Sequence, residues 1–153
     1  MKDSLRILVN ATTLTVGGGI PIGVSFIEHV AGSDYNDFEF MFAVSRQIYA
    51  NFPPCLQKDS RIRSFDVSPA KIIKGHSSRV MLKTIERGFR PDVVYSLGFP
   101  SYVRFGVPEV GRYTNGWEIN PPPIPWHVLS PTKRILVFIA GQYRLWWASG
   151  ASY

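Results

Sequence analysis

Three consecutive glycines, Gly17 to Gly19, are the first feature of the sequence that could do chemistry. They separate an apolar, β-prone run from a segment with helical periodicity, in the stretch ILVNATTLTVGGGIPIGVSFIEHV. Residues without side chains let backbone N–H groups and the start of a helix approach an anion closely. The alternative is a tight turn with no ligand, which needs one or two glycines and seldom three. The pattern therefore favours contact with an anionic ligand such as a phosphate.

The glycine stretch matches neither of two familiar phosphate-binding motifs completely. The dinucleotide fingerprint G-x-G-x-x-G, started at the first glycine, requires glycine where Ile22 stands, and the second strand ends in AVSRQ without the acidic residue. The P-loop pattern G-x-x-x-x-G-K-[ST] fits Gly18, Gly23 and Ser25, but Val24 occupies the lysine position. Both motifs fail at a residue that carries chemistry, so the glycines predict anion contact without specifying the ligand.

A second group of candidate residues follows later in the chain, in GFPSY at 98–102 and in TNGWE at 114–118. Asn115 and Glu118 could hydrogen-bond to sugar hydroxyls, and Trp117 could offer a flat apolar face to a sugar ring. Asn-Gly is equally a turn sequence. Ligand binding and turn formation both stay open for this stretch.

Gly98, Ser101 and His127 are further candidates for ligand binding. Ser101 has no nearby His–Asp pattern and no G-x-S-x-G setting, so we do not expect nucleophilic hydrolysis. His127 follows a loop and stands next to a tryptophan, and structural packing is its stronger interpretation. His29, His76 and His127 are too far apart in the sequence for a recognisable metal site. We expect no metal and no cofactor, and no residue can be assigned as a catalytic base.

Alternating strands and helices must position these residues. The predicted strands are 6–10, 38–44, 61–67, 91–98 and 108–117. The first predicted helix has Pro21 in its first turn and ends at Gly32, and a short second helix covers 45–52. A third helix covers 77–89 and is ended by Gly88 and Pro91, and the last helix has Ser130 as its N-cap. This order predicts a single Rossmann-like α/β domain with a doubly wound, mainly parallel sheet and flanking helices. Ligands bind at the carboxyl ends of such strands, which here lead into 12–19, 97–104 and 114–118.

Composition restricts the class of protein. The chain has 153 residues, of which 45% are hydrophobic and 18% charged, as is typical of a globular domain. Cys55 is the only cysteine, so no internal disulfide can form. We find neither a signal-peptide core nor a run of ~20 apolar residues, which predicts a cytoplasmic protein. The formal net charge of +6 favours anionic partners, but the basic residues are scattered, so we do not expect nucleic acid.

The glycine stretch, taken with PDVVYSLGFPSYVRFGVPEVGRYTNGWEINPPPIPW, resembles the N-terminal half of a retaining glycosyltransferase of the GT-B class, family 4 type. Those enzymes pair two Rossmann-like domains across a cleft, with the acceptor mainly on the N-terminal domain and the nucleotide-sugar mainly on the C-terminal one. The resemblance implies that Gly17, Gly18 and Gly19 lie beside the donor's diphosphate. It also implies an acceptor side of the cleft that contains Gly98, Ser101, Asn115, Trp117, Glu118 and His127.

One part of the family pattern has no match here. The donor-binding motif of two glutamates separated by seven residues is absent, since the nearest pair, Glu109 and Glu118, is nine positions apart and in the wrong region. We therefore expect a glycosyltransferase N-terminal domain at 1–128 and a C-terminal helix at 129–153 that leads to an absent second domain.

The expected function is transfer of a sugar from a nucleotide-sugar to a glycan or lipid-linked acceptor, with the chain inactive alone. Two alternatives stay open. One is a stand-alone nucleotide- or anion-binding module, and the other is a non-catalytic subunit that needs a partner.

The last predicted helix mixes basic residues with tryptophans, in SPTKRILVFIAGQYRLWWAS. Such a mixture can mark a helix that lies in a membrane interface, which would place the protein at the inner membrane face. The stronger interpretation is that this helix packs on another domain.

Overall fold

The computed structural model describes residues 4–113 and 130–149, whose core is a five-stranded sheet. In chain order the strands are β1 (Leu5–Ala11), β2 (Phe38–Ser45), β3 (Ile62–Phe65), β4 (Val93–Phe99) and β5 (Glu109–Tyr113). All neighbouring strands are parallel, and their spatial order is β3-β2-β1-β4-β5. The predicted α/β class with a Rossmann-like parallel sheet is confirmed.

Five helices accompany the sheet within the described residues. They are α1 (Gly19–Gly32), α2 (Arg46–Ala50), α3 (Pro54–Gln57), α4 (His76–Phe89) and α5 (Pro131–Ala148). The two long helices α1 and α4 connect strands of the sheet, since α1 lies between β1 and β2 in the chain and α4 between β3 and β4.

The helices α1 and α4 cover opposite faces of the sheet. Val9 belongs to an apolar cluster with Ile27 of α1, whereas Leu8 belongs to a second cluster with Leu82 of α4. Successive side chains of a strand point to opposite faces, so the two clusters are the two layers of a doubly wound domain. Ile27 and Leu82 are fully buried, and burying such a side chain contributes about 1.5–3 kcal/mol.

Helix α4 ends at Phe89 as predicted, two residues before Pro91, and begins one residue earlier than expected, at His76. Arg90 takes the left-handed conformation with a φ of 52°. Phe89 is buried in the cluster that contains Leu82, so packing holds the last turn in place. The N–H of Arg90 donates to the carbonyl of Glu86 and closes the last turn.

Smaller differences occur at other elements. The helix expected at 45–52 is shorter, with Ser45 as N-cap accepting a hydrogen bond from the N–H of Ile48. The four-residue helix α3 was not expected. Strand β3 ends at Phe65, two residues early, and lies at the sheet edge as expected.

The last helix, α5, begins after Ser130 as expected, although the hydroxyl of Ser130 makes no capping hydrogen bond. None of its residues is buried. Near its C-terminal end, Tyr143 stacks on Tyr102 with ring centroids 5.7 Å apart. In the described part of the chain, no helix combines the length and hydrophobicity that crossing a bilayer requires.

Candidate functional site

The carboxyl ends of β1 and β4 are adjacent in the middle of the sheet. From β1 the chain continues through α1 to β2 on one side, whereas from β4 it continues to β5 on the other side. The strand order therefore reverses between these two strands. Open α/β sheets bind ligands in the crevice outside such a switch point.

The glycine loop that follows β1 lies at this position and leaves its backbone uncovered. Gly17 has a φ of 65°, a conformation that side-chain-bearing residues rarely adopt. Gly18 has an ordinary φ of −65° and is the N-cap of α1. A Cβ added at Gly17 or Gly18 would meet no atom within 4 Å, whereas one at Gly19 would lie 3.0 Å from Leu14 Cδ2. Two of the three glycines thus face open space.

The start of α1 has no side-chain cap and no acidic residue in its first turn. The N–H of Ile20 donates to the carbonyl of Gly17 at 3.3 Å, but none of the described residues accepts a hydrogen bond from the N–H of Gly18 or Gly19. Unpaired N–H groups and the helix dipole together favour an anion at this end.

Side chains hold the loop in place from below. Thr12 donates to Oδ1 of the buried Asn10 through its N–H at 3.2 Å and through its hydroxyl at 2.7 Å. The hydroxyl of Thr13 donates to the carbonyl of Gly98 at 2.6 Å, and the hydroxyl of Ser45 donates to the carbonyl of Leu14 at 2.6 Å. The base of the loop is therefore tied to the ends of both neighbouring strands.

Gly98 and Gly23 are buried, and each permits a close approach. A Cβ at Gly98 would collide with the hydroxyl of Thr13 and lie 2.7 Å from Leu14 Cδ2. A Cβ at Gly23 would lie 2.6 Å from Ile48 Cδ1. Gly23, which matched a P-loop glycine in the sequence, thus serves the packing of α1 against Ile48.

A buried polar network lies between β1, β4 and β5, on the face of the sheet that α4 covers. Asn10 Nδ2 donates to Ser96 Oγ at 3.2 Å, and Ser96 Oγ donates to Glu109 Oε1 at 2.5 Å. The other carboxyl oxygen of Glu109 lies 3.1 Å from the hydroxyl oxygen of Ser101, which is itself 3.1 Å from the carbonyl of Val103.

Burial raises the pKa of Glu109, while the hydrogen bonds from Ser96 and Ser101 partly offset this effect. The hydroxyl of Ser101 has one hydrogen for two acceptors, the carboxyl group and the Val103 carbonyl. A protonated Glu109 would donate to Ser101 and so satisfy both contacts. The network is suited to holding a proton on Glu109.

The structure brings some of the predicted site residues together and leaves others untested. Gly17, Gly18 and Gly19 lie at the switch point, with Gly98 below them; Ser101 is buried in the Glu109 network. The remaining candidates lie outside the described residues: Asn115, Trp117, Glu118 and His127.

Sequence reasoning missed Glu109 as part of a site and missed Asn10 and Ser96 altogether. A signal existed in the sequence, since Glu109 is an acid at the start of a strand otherwise composed of VGRY. Its serine partners, however, stand 13 and 8 positions away and meet it only through sheet pairing.

Comparison of the chain with protein-family models, with curated protein sequences and with solved structures finds no match. Within residues 4–113 and 130–149, no three His, Cys, Asp or Glu side chains lie together as a metal site would require. At the switch point, a glycine loop with unpaired N–H groups thus lies beside a buried polar network.

Proposed function

We propose that this chain is the acceptor-side domain of a GT-B glycosyltransferase of the family 4 type. In this proposal the glycine loop lies against the diphosphate of a nucleotide-sugar, and the sugar passes with retention to a glycan or lipid-linked acceptor. A second domain would hold the nucleotide, so the chain alone is expected to be inactive.

The observation that carries the proposal is the conformation of Gly18. This residue has backbone angles open to any amino acid and free space where a side chain would lie. An N-cap side chain would accept from the N–H two or three positions on, but Ile20 already donates to the carbonyl of Gly17 and Pro21 has no N–H. The N–H groups of Gly18 and Gly19 have no acceptor among the described residues, and the absence of a side chain at Gly18 leaves them open to a diphosphate.

The same loop suits the chemistry of the proposed transfer. Breaking the glycosidic bond to a diphosphate builds negative charge on the leaving oxygens. Backbone N–H groups held in place by Thr13 and Ser45 would stabilise that charge without rearranging. Positioning and charge stabilisation are thus the contributions we assign to this domain, and the proton-transfer groups remain unassigned.

Backbone amide NMR provides the test. We would titrate the ¹⁵N-labelled chain with UDP-glucose, GDP-mannose and inorganic pyrophosphate, and compare Gly18→Ala with Gly32→Ala. Gly32 is the matched control, because it lies at the other end of α1 and a Cβ there also meets open space. We expect weak, saturable shifts at Gly18 and Gly19 that Gly18→Ala removes and Gly32→Ala retains.

The other outcomes separate the alternatives. No shift at residues 17–19 with any of the three ligands would contradict the proposed diphosphate contact. Micromolar nucleotide binding by the chain alone would favour a stand-alone nucleotide-binding module. Sugar transfer by the purified chain would contradict the proposal that a second domain is needed.

A further inference from the structure

A groove of about 400 Å³ lies between α4, the segment after β4 and the C-terminal end of α5. Its lining is rich in positive charge and contains no Asp or Glu among the described residues. The side chains that concern us here are His76, Arg79, Lys83, Arg87, Tyr102 and Arg104.

Arg79, Lys83 and Arg87 form a row along one face of α4. They are spaced at four-residue intervals, which places their side chains on the same face at a rise of about 6 Å each. Like charges at this spacing destabilise a helix. The row is therefore unfavourable in the free protein and would be neutralised by an anion in the groove.

Two of these cations are held in position by backbone carbonyls. Arg79 donates to the carbonyls of Pro69 at 2.6 Å, Lys71 at 3.0 Å and Ile72 at 2.8 Å. Lys83 Nζ donates to the carbonyl of Arg104 at 3.0 Å and is paired with Glu86 Oε2 at 2.5 Å. Glu86 thus compensates Lys83, and the walls of the groove are built before any ligand arrives.

Arg87 and Arg104, the other two cations that line the groove, keep their donors available. Arg87 is exposed and makes no hydrogen bond or ion pair with any described residue. The guanidinium of Arg104 lies 5.0 Å from the centroid of the Trp146 ring, which orients its plane at the rim. Forked guanidinium donors match the oxygens of a phosphate group.

Tyr102 forms one wall of the groove in an unusual conformation. Its φ is 60°, in the left-handed region that non-glycine residues seldom occupy, and its side chain is buried. Its ring lies 5.7 Å from that of Tyr143 and 6.2 Å from that of Trp147. Strained residues of this kind persist where the surrounding structure holds them, frequently at binding sites.

We propose that this groove binds a phosphate-bearing ligand, with the phosphate held by Arg87 and Arg104. The groove lies on the α4 face of the sheet, whereas the glycine loop leads into α1 on the opposite face. It is therefore a second site, and the inference is independent of the proposed function.

Two sources could supply such a phosphate, a soluble organic phosphate or the headgroup of an anionic lipid. Near the groove, Ile72 and Ile73 are 70% and 86% exposed between Lys71 and Lys74. Exposed aliphatic side chains flanked by lysines suit a membrane surface. This pair therefore provides a means of distinguishing the two sources.

The experiment measures binding of inorganic pyrophosphate by calorimetry and binding of vesicles by sedimentation, at about 0.15 M salt to suppress nonspecific attraction. The vesicles are phosphatidylcholine with or without phosphatidylglycerol. We expect Arg87→Gln to weaken binding about tenfold. The matched control Arg112→Gln removes one exposed arginine on β5, outside the groove, and should change affinity by less than about twofold.

Each outcome decides the proposal. Arg87-dependent binding of pyrophosphate assigns a soluble phosphate. Arg87-dependent binding of phosphatidylglycerol vesicles, weakened several-fold further by Ile73→Ser, assigns a lipid headgroup. Equal losses in Arg87→Gln and Arg112→Gln, or no binding in either arm, would overturn the proposal.

Discussion

The hydroxyl of Ser96 donates a 2.5 Å hydrogen bond to Oε1 of Glu109, and this bond joins β4 to the edge strand β5 through side chains as well as backbone. Asn10 Nδ2 in turn donates to Ser96 Oγ, so one line of hydrogen bonds crosses β1, β4 and β5. Strand β5 has five residues, and among the described strands its neighbour is β4. Since register is weakly specified in short edge strands, we infer that this line fixes the register of β5.

The first prediction concerns Glu109→Gln. An amide accepts from Ser96 and donates to Ser101, which reproduces the bonds of a protonated Glu109. The native pKa of Glu109 is raised by burial, so its stabilisation is present at low pH and is lost as pH rises from about 4.5 through the native pKa. Urea unfolding across about pH 4 to 8 should show stability falling in the wild type and falling less in the variant.

The control for this prediction is Glu28→Gln, which removes a carboxyl group from the exposed side of α1. Its stability should follow that of the wild type at every pH. Parallel curves for the wild type and Glu109→Gln would contradict the inferred proton on Glu109.

Local sequence patterns were sufficient for the elements whose burial is periodic. Ile27 and Val30 lie on the buried face of α1, three positions apart, as the helical periodicity after the glycines predicts. The end of α4 at Phe89 was predicted because Pro91 gives a local stop signal. The short helix α3 was not predicted, since its four residues are too few to show a helical periodicity.

The candidate site, too, was predicted only where its residues are close in the sequence. The glycine loop was predicted because its chemistry is contiguous in the sequence. The Glu109 network was not, since its serines come from a different strand and a loop, and only the register of β4 and β5 brings them within reach. The close-approach role of Gly98 likewise depends on Thr13, 85 positions away.

The second prediction separates the glycines of the loop by stability. Gly17→Ala forces a side chain into the left-handed region and should cost about 1–2 kcal/mol. Gly18→Ala fits its backbone angles and open surroundings, so stability should change by less than about 0.5 kcal/mol. Chemical denaturation measures both, with Gly32→Ala as control. Equal costs at 17 and 18 would show that Gly18 is needed for the fold, which would remove the main support for a ligand at the loop.

The third prediction concerns the ion pair of Asp59 and Arg61, which joins the turn before β3 to the end of α1. Arg61 Nη2 lies 2.7 Å from Asp59 Oδ2 and 3.2 Å from the carbonyl of Ala31. The hydrogen bond from Arg61 lowers the pKa of Asp59 despite partial burial. A lowered native pKa gives stability that is present above the ordinary value of 3.8 and is lost as pH falls through the native one.

Asp59→Asn should therefore destabilise the protein at neutral pH by about 0.5–1 kcal/mol, a range reduced because the guanidinium is partly exposed. The difference from wild type should shrink as pH falls through the lowered native pKa. Asp66→Asn is the matched control, because its partner Arg46 is 3.7 Å away and both side chains are largely exposed, so its effect should be negligible at any pH. Urea unfolding at neutral pH and in acid measures the stability of the wild type, Asp59→Asn and Asp66→Asn. A loss for Asp59→Asn that persists unchanged in acid would assign the effect to the turn backbone, which Asp59 also supports by accepting from the N–H of Arg61 at 2.8 Å, and not to the ion pair.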